Sequence, residues 1–317
     1  MRTTEYEESI PPSPLSGRDC LTLAEFSPEE IRLIVEEAVR LKSLLKTGVT
    51  FQPLLGKTLA MIFQKPSNRT RVSFEVGMYQ LGGHALSLSP QEIRMGKRES
   101  TADIGKTLAR YTDSVMARVF AHEEVEELAE AAEVPVINGL SDQHHPCQAL
   151  ADLLTIREEL GSLEGARVTY VGDGNNVAHS LAISCALTGA ALTIVHPEGY
   201  ASNPEVVELA GALGDPPKTT EDPYEGVSNA RVIYTDVWAS MGQEAEAEER
   251  NKRFAPYQVN KELMSHAAPD AIFLHCLPAH RGKEVTAEVI DGPQSRVFDQ
   301  AENRLHAQKA LLYLLVS

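Results

Sequence analysis

RVTYVGDGNNVAHSLAISCALTGAALTIVHP, residues 167–197, carries the pattern that decides the fold. RVTYV (167–171) and ALTIV (191–195) are short apolar runs that read as strands, and the segment around 177–189 reads as a helix between them. Strand, helix and strand in that order make a crossover between parallel neighbours. The same alternation extends to both sides. Further strands are expected at LAMIF (59–63), HALSLS (84–89), SVMARVF (114–120), VPVIN (134–138), RVIYT (231–235) and AIFLH (271–275). Helices are expected at 27–47, 67–81, 123–133, 146–160, 204–213 and 303–315. The first of these places Ile31, Ile34, Val35, Ala38, Leu41 and Leu45 at helical spacing behind a Ser27-Pro28 start. The fold class is α/β with two domains, each a parallel β-sheet flanked by helices. GSLEG (161–165) is the expected junction, and EAEAEERNKR (244–253) reads as a solvated helical face or a mobile loop.

A chain of 317 residues suits two domains of ordinary size, and 43% hydrophobic with 23% charged residues is the composition of a soluble globular protein. Twenty-nine Lys and Arg against 45 Asp and Glu leave a net charge of −16, which excludes a basic nucleic-acid footprint. An anionic substrate would need a local cluster of basic groups that overcomes this field. The four cysteines, Cys20, Cys147, Cys185 and Cys276, have no CxxC spacing and fit a reducing compartment. MRTTEYEESIPPSPLSG at the start has no apolar signal-peptide core, and residues 1 to about 18 are expected to be loose. With no apolar run of spanning length, a cytoplasmic protein without a membrane partner is expected.

Ligands of open parallel sheets bind beyond the carboxyl ends of the strands. The residues that follow each expected strand are therefore the candidates for chemistry. Ser67-Asn68-Arg69-Thr70-Arg71 follows LAMIF and opens a helix, where free N–H groups, hydroxyls and a guanidinium fork suit an anion. A plain Ser cap with two solvated arginines reads the same residues equally well. Arg118 ends SVMARVF. His145 and Gln148, in His145-Pro146-Cys147-Gln148, share one helical face and could hold a carbonyl and an NH2 group; a capping or core histidine is the blander reading. The spacing of His144, His145 and Cys147 fits no zinc site, and no metal is expected. Asp236 follows RVIYT, where an acid can bind an ammonium or simply cap a helix. Cys276 follows AIFLH and is of interest only beside ionised partners. Gly172-Asp173-Gly174-Asn175-Asn176-Val177 imitates a dinucleotide turn. Val177 replaces its third small residue, and ALTIV ends in His196-Pro197 rather than a ribose-binding acid.

Together SNRTR (67–71), HPCQ (145–148), GDGNN (172–176), DVWASMG (236–242), HCLPAHRG (275–282) and ENR (302–304) resemble the aspartate/ornithine carbamoyltransferase family, in family order from about Leu21 to the end. DVWASMG with HCLP looks like the ornithine branch. The resemblance implies transfer of the carbamoyl group of carbamoyl phosphate to the side-chain amine of L-ornithine, giving L-citrulline and phosphate in arginine metabolism. It implies a carbamoyl-phosphate domain at 1–150, joined by a C-terminal helix at 303–317, and an ornithine domain at 151–302. By match, Ser67, Asn68, Arg69, Thr70 and Arg118 hold the phosphate. His145, Gln148, Thr70 and Arg304 engage the carbamoyl end, with Leu277 offering its carbonyl to the carbamoyl NH2. Asn176, Asp236, Ser240 and Met241 hold ornithine, and Cys276 lies near the reacting amine. Arg69, Arg118, His145, Asp236 and Cys276 form the implied catalytic set, with no cofactor, in a homotrimer or a multiple of trimers whose sites lie near subunit interfaces. Two positions depart from the family pattern: Asn68 stands where Thr or Met is usual, and Arg94 where a Gln reaching into the neighbouring subunit is common. The alternatives are a carbamoyltransferase for acetylornithine or putrescine, an NADP-dependent oxidoreductase using the 172–178 turn, and a non-catalytic relative.

Overall fold

The computed structural model describes residues 13–239 and 244–317, so the expectations placed on Ser240, Met241 and residues 1–12 lie outside the described residues. The first part of the chain forms a sheet from β1 (Thr58–Phe63), β2 (His84–Leu88), β3 (Ser114–Arg118) and β4 (Val136–Leu140). The second forms a sheet from β5 (Arg167–Val171), β6 (Ala191–Val195), β7 (Lys218–Thr220), β8 (Val232–Thr235) and β9 (Ile272–His275). The strand orders are β2-β1-β3-β4 and β7-β6-β5-β8-β9, with every pair parallel. In the first sheet the order reverses between β1 and β3, and in the second between β5 and β8. Chains leaving the strand ends at these points diverge to opposite faces and open a crevice.

The helices of the first part are α1 (Pro28–Lys46), α2 (Arg69–Gln80), α3 (Pro90–Ile93), α4 (Thr101–Leu108), α5 (His122–Ala131) and α6 (Pro146–Leu160). Those that follow are α7 (Asn176–Thr188), α8 (Pro204–Leu213), α9 (Pro223–Val227), α10 (Ala247–Phe254), α11 (Lys261–Ser265), α12 (Ala287–Ile290) and α13 (Val297–Val316). α1 begins with a capping box: Ser27 Oγ accepts from the Glu30 N–H while Glu30 accepts from the Ser27 N–H. Such a cap contributes about 1 kcal/mol. Its expected apolar stripe is buried except for Leu45, which is 41% exposed.

α13 returns to the first sheet and packs on α6, α1 and α2, where Ala310, Leu311, Leu312 and Leu315 meet Ile31, Ile34, Phe74, Met78 and Leu150. It starts at Val297 rather than at 303, because Gln300 on its first turns is buried and hydrogen-bonded instead of facing solvent. Lys42 of α1 ties the same assembly, reaching Glu158 of α6 at 2.9 Å and Asn303 of α13 at 2.7 Å. The start of the chain is not loose as far as residue 18. Leu15 is fully buried and the Gly17 N–H donates to the Leu315 carbonyl at 2.9 Å.

Among the described residues no helix is long and apolar enough to cross a membrane.

Candidate active site

The crevice of the first sheet is lined from α2. Asn68 occupies its N-cap position without a side-chain cap, so Ser67 and Asn68 leave the first-turn N–H groups open, and no acidic residue stands in that turn. The plain-cap reading of Ser67 therefore fails, and the positive end of the helix faces the crevice. Arg118, from the tip of β3, is only 7% exposed, and its Nε has no protein partner. Arg304 of α13 is buried between the same elements. Its Nη1 donates to Gln148 Oε1 at 2.9 Å, its Nε to Gln308 Oε1 at 3.0 Å, and its Nη2 lies 3.4 Å from Thr70 Oγ1. Burial, with Arg304 and Arg69 close by, lowers the Arg118 guanidinium to about 10. Burial lowers Arg304 as well. These cations repel one another, and among the described residues none of them forms a salt bridge, although Asp152 acts on Arg304 from nearby; such an excess of positive charge is the electrostatic signature of a site for an anion.

His145 sits at the N-cap of α6, and its backbone N–H donates to Ser180 Oγ of α7 at 2.7 Å. Burial and the neighbouring Arg304, Arg118 and Arg69 hold its ring well below the usual imidazole range, so it is neutral, and its Nδ1 is buried without a partner. Gln148, one turn on, gives its Nε2 to Asp152 at 2.9 Å; Gln300 Nε2 meets the same Asp152 oxygen at 2.6 Å. Cys147 packs into the core, with its thiol at 3.5 Å from the Asn138 carbonyl, and is not part of the site.

On the opposite wall, at the β5/β8 reversal, Asp236 accepts from the Cys276 thiol at 2.9 Å and from Asn175 Nδ2 at 3.0 Å. Burial and Asp236 push the Cys276 thiol well above its ordinary value. Asn176 lies beside them, but its amide donates to the Ser141 carbonyl at 2.6 Å and holds the loop that carries His145. Leu277 closes the crevice: its carbonyl accepts from Arg69 Nη2 at 2.5 Å. The ligand atoms of Asp236, His275 and Cys276 lie within 4.8 Å of one another. Both ring nitrogens of His275 are already engaged, Nδ1 by the Leu277 N–H and Nε2 by Glu284, so the ring offers no free lone pair to a metal.

The structure thus brings Arg69, Thr70, Arg118, His145, Gln148, Asp236, Cys276, Leu277 and Arg304 to one crevice, with Ser67, Asn68 and Asn176 at its edge. Arg94 stands apart. It is exposed, has φ +44°, and lines a separate cavity of about 600 Å³ with Gln64, Lys97, Arg98 and Phe120. The dinucleotide-like turn is closed to a pyrophosphate. Asn175 Oδ1 caps the Val177 and Ala178 N–H groups, and the Ala201–Ser202 backbone packs so tightly on Gly174 that a Cβ there would lie 2.2 Å from the Ser202 nitrogen.

Two family models divide the chain along the same line: the aspartate/ornithine carbamoyltransferase carbamoyl-P binding domain matches residues 18–158 and the Asp/Orn binding domain residues 164–315. The chain belongs to the aspartate/ornithine carbamoyltransferase family. Within that family it is 57% identical over 306 residues to the ornithine carbamoyltransferase of Thermococcus kodakarensis, covering 95% of this chain and 97% of the relative. It is 58% identical to that of Pyrococcus abyssi, covering 95% and 96%. The solved ornithine carbamoyltransferase of Pyrococcus furiosus superposes with a TM-score of 0.93 at 57% identity, over 95% of this chain and 98% of that one. That of Thermus thermophilus superposes at 0.86 and 44%, over 94% and 99%. The two parallel sheets of this chain are thus those of the carbamoyltransferase fold.

Several residues around the crevice were not assigned a role from the motifs. Asn175, not Asn176, reaches Asp236. Gln300 and Gln308 flank Arg304 at i−4 and i+4, a helical spacing that marks one face and could have been read. Arg250 hides in the charged run at 244–253. It is 7% exposed, donates to Asp173 Oδ2 at 2.7 Å and to the Trp238 carbonyl at 3.1 Å, and stacks over Tyr200. This corrects the reading of that run as a purely solvated face or loop.

Proposed function

We propose that the chain transfers the carbamoyl group of carbamoyl phosphate to the side-chain amine of L-ornithine, giving L-citrulline and phosphate. One observation carries the reading. Arg69, Arg118 and Arg304 crowd together with no salt-bridge partner among the described residues at one sheet's reversal point, across from the Asp236–Cys276 pair at the other's. A cation trap opposite a carboxylate fits a phosphate donor and an amine acceptor. Relatives more than half identical over nearly the whole chain carry the name ornithine carbamoyltransferase, which supports the same substrates.

In this reading the α2 N-terminus with Ser67, Asn68, Arg69, Thr70 and Arg118 takes the phosphate. The carbamoyl oxygen points at Thr70, His145 and Arg304, and the carbamoyl NH2 at Gln148 Oε1 and the Leu277 carbonyl. Asn176 and Asp236, with Ser240 and Met241, hold ornithine. Residues 1–150 with the C-terminal helix 303–317 form the carbamoyl-phosphate half and 151–302 the ornithine half.

The free amine of ornithine, near pKa about 10.4 in water, must lose a proton before it attacks. Burial in the crevice disfavours the ammonium, whereas Asp236 favours it, so Asp236 serves to anchor rather than to deprotonate. The N–C bond forms as the C–O bond to phosphate breaks, and the departing phosphate takes the amine proton. Negative charge building on the carbamoyl oxygen meets donors already in place: Arg304, Thr70 and a neutral His145 that adds an N–H without adding a further charge. Holding the two substrates side by side supplies much of the rate. Carbamoyl phosphate binds first, and closure of the crevice over ornithine follows.

The same reading places the enzyme in the cytoplasm as a homotrimer. Val72, Val76 and Tyr79 form an exposed apolar stripe along α2, the helix whose first turn lines the crevice, with Tyr79 78% exposed. Burying such a stripe against a neighbour would set the site near the interface and bring Arg94 of one subunit toward the next. A colorimetric citrulline assay with carbamoyl phosphate and a panel of ornithine, acetylornithine and putrescine tests the function. Turnover with ornithine alone supports it, and product from another amine only, or from none, contradicts it.

A further inference from the structure

The carbonyl of Leu277 is a crevice acceptor supplied by a loop backbone, and Leu277 sits at φ +57°, a conformation leucine rarely adopts. A chain of buried contacts holds it there. The Leu277 N–H donates to Nδ1 of His275 at 2.9 Å, and Nε2 of His275 lies 3.3 Å from Oε1 of Glu284. His275 and Glu284 are each 1% exposed. An amide N–H can only donate, so Nδ1 must carry a lone pair. The ring is therefore the Nε2–H tautomer, with its proton directed at the Glu284 carboxylate.

We propose that Glu284 and His275 are positioning residues for carbamoyl recognition: Glu284 fixes the His275 tautomer, and that tautomer aims the Leu277 carbonyl into the crevice. The inference rests on the proposed carbamoyl transfer reaction. Burial alone would push the Glu284 carboxyl up, but donors from His275 and the His280 backbone outweigh it and hold the group below the usual glutamate value. It is thus an ionised acceptor at neutral pH. The Leu277 oxygen has two lone pairs; Arg69 takes one and the other remains for a carbamoyl N–H. Flipping the tautomer would set two N–H groups against each other and turn the carbonyl away. The His275 backbone N–H donates to Gln300 Oε1 at 2.9 Å, which ties the end of β9 to α13.

The test compares E284L and E284Q in the full chain, with steady-state kinetics and 15N NMR of histidine-labelled enzyme, using H275Q to assign the ring. E284L removes the acceptor, and a carbonyl misplaced by about an ångström should lower kcat/KM for carbamoyl phosphate by roughly a hundredfold. Inhibition by inorganic phosphate, which has no NH2 group, should stay at the wild-type level. E284Q keeps an amide oxygen for the Nε2–H and should recover most of the loss. In the wild-type spectrum the His275 Nδ1 should appear as an unprotonated ring nitrogen. Wild-type kcat/KM in E284L, equal impairment in E284Q, or a protonated Nδ1 would each overturn the proposal. If E284L does not fold, the wild-type spectrum and E284Q still decide. A wild-type enzyme that makes no citrulline would instead refute the proposed reaction, while the spectrum still decides the tautomer.

Discussion

The guanidinium of Arg69 reaches the carbonyl oxygen of Leu277 at 2.5 Å, joining the tip of the first sheet to the tip of the second across 208 residues of chain. The two walls of the crevice therefore touch through a residue assigned to phosphate binding. Replacing Arg69 by Ala removes both the phosphate fork and this bridge. The expected result is a loss of kcat/KM of about a thousandfold or more with an unchanged circular-dichroism spectrum. Lysine restores the charge but not the planar fork, so R69K should recover only part of the activity.

Arg118 is a second, separable test. Its guanidinium is lowered to about 10 by burial and by two neighbouring arginines, a repulsion that a bound anion relieves. Inorganic phosphate should raise the thermal midpoint of the wild-type chain. R118M should raise the ligand-free midpoint by a few degrees, on the order of 1 kcal/mol, while abolishing turnover and the phosphate effect together. A variant that is less stable than wild type and still stabilised by phosphate would contradict this account of Arg118.

Asp152 gives a prediction in pH. Burial pushes its carboxyl up to about 7 from 3.8, although Gln300 and Gln148 donate to it. A folded-state pKa above the unfolded one means that the native protein holds this proton more tightly. The contribution to stability is full below about pH 4 and is lost as pH rises to about 7. D152N should therefore be more stable than wild type at pH 8, with the advantage shrinking toward pH 4, as read from urea midpoints across that range. An advantage that grew on acidification would have the wrong sign.

Cys276 and Asp236 are coupled. Burial first, and then the adjacent carboxylate, keep the thiol protonated, and it donates to Asp236 Oδ1. Iodoacetamide at neutral pH should label Cys276 much more slowly than a free cysteine. D236N removes the charge that holds the proton on sulfur. It should speed the labelling while raising KM for ornithine and sparing inhibition by phosphate. Mass spectrometry of the labelled peptide, alongside the kinetics, checks both halves.

The strands were legible where they are buried on both faces. LAMIF lies within β1, and RVTYV and ALTIV coincide with β5 and β6, because an apolar run between turn residues has few other places to go. β7, Lys-Thr-Thr at the sheet edge, was not legible, since its side chains face solvent and show no apolar pattern. α4 was hidden for the same reason: TADIGKTL buries only Thr101, Ile104 and Gly105.

At the site, the motifs named the residues that would touch substrate, but not those that hold them. Asp152, Gln300 and Glu284 act through side chains from distant parts of the chain, and only the fold shows that they meet. That Asn175 caps α7 and also reaches Asp236 was not legible either, because adjacent identical residues conceal which one stands at the cap. Arg250 read as one more surface charge because its partner, Asp173, lies 77 residues away.

The most direct measurement is a crystal structure of the chain with a bisubstrate analogue, a phosphonate joined through an acetyl linker to the side-chain nitrogen of ornithine. The phosphonate is expected against Arg69, Arg118 and the N-terminus of α2, the linker carbonyl near Thr70, His145 and Arg304, and the amino-acid end beside Asp236. An analogue bound elsewhere, or bound in the crevice with its phosphonate away from these arginines, would contradict this placement.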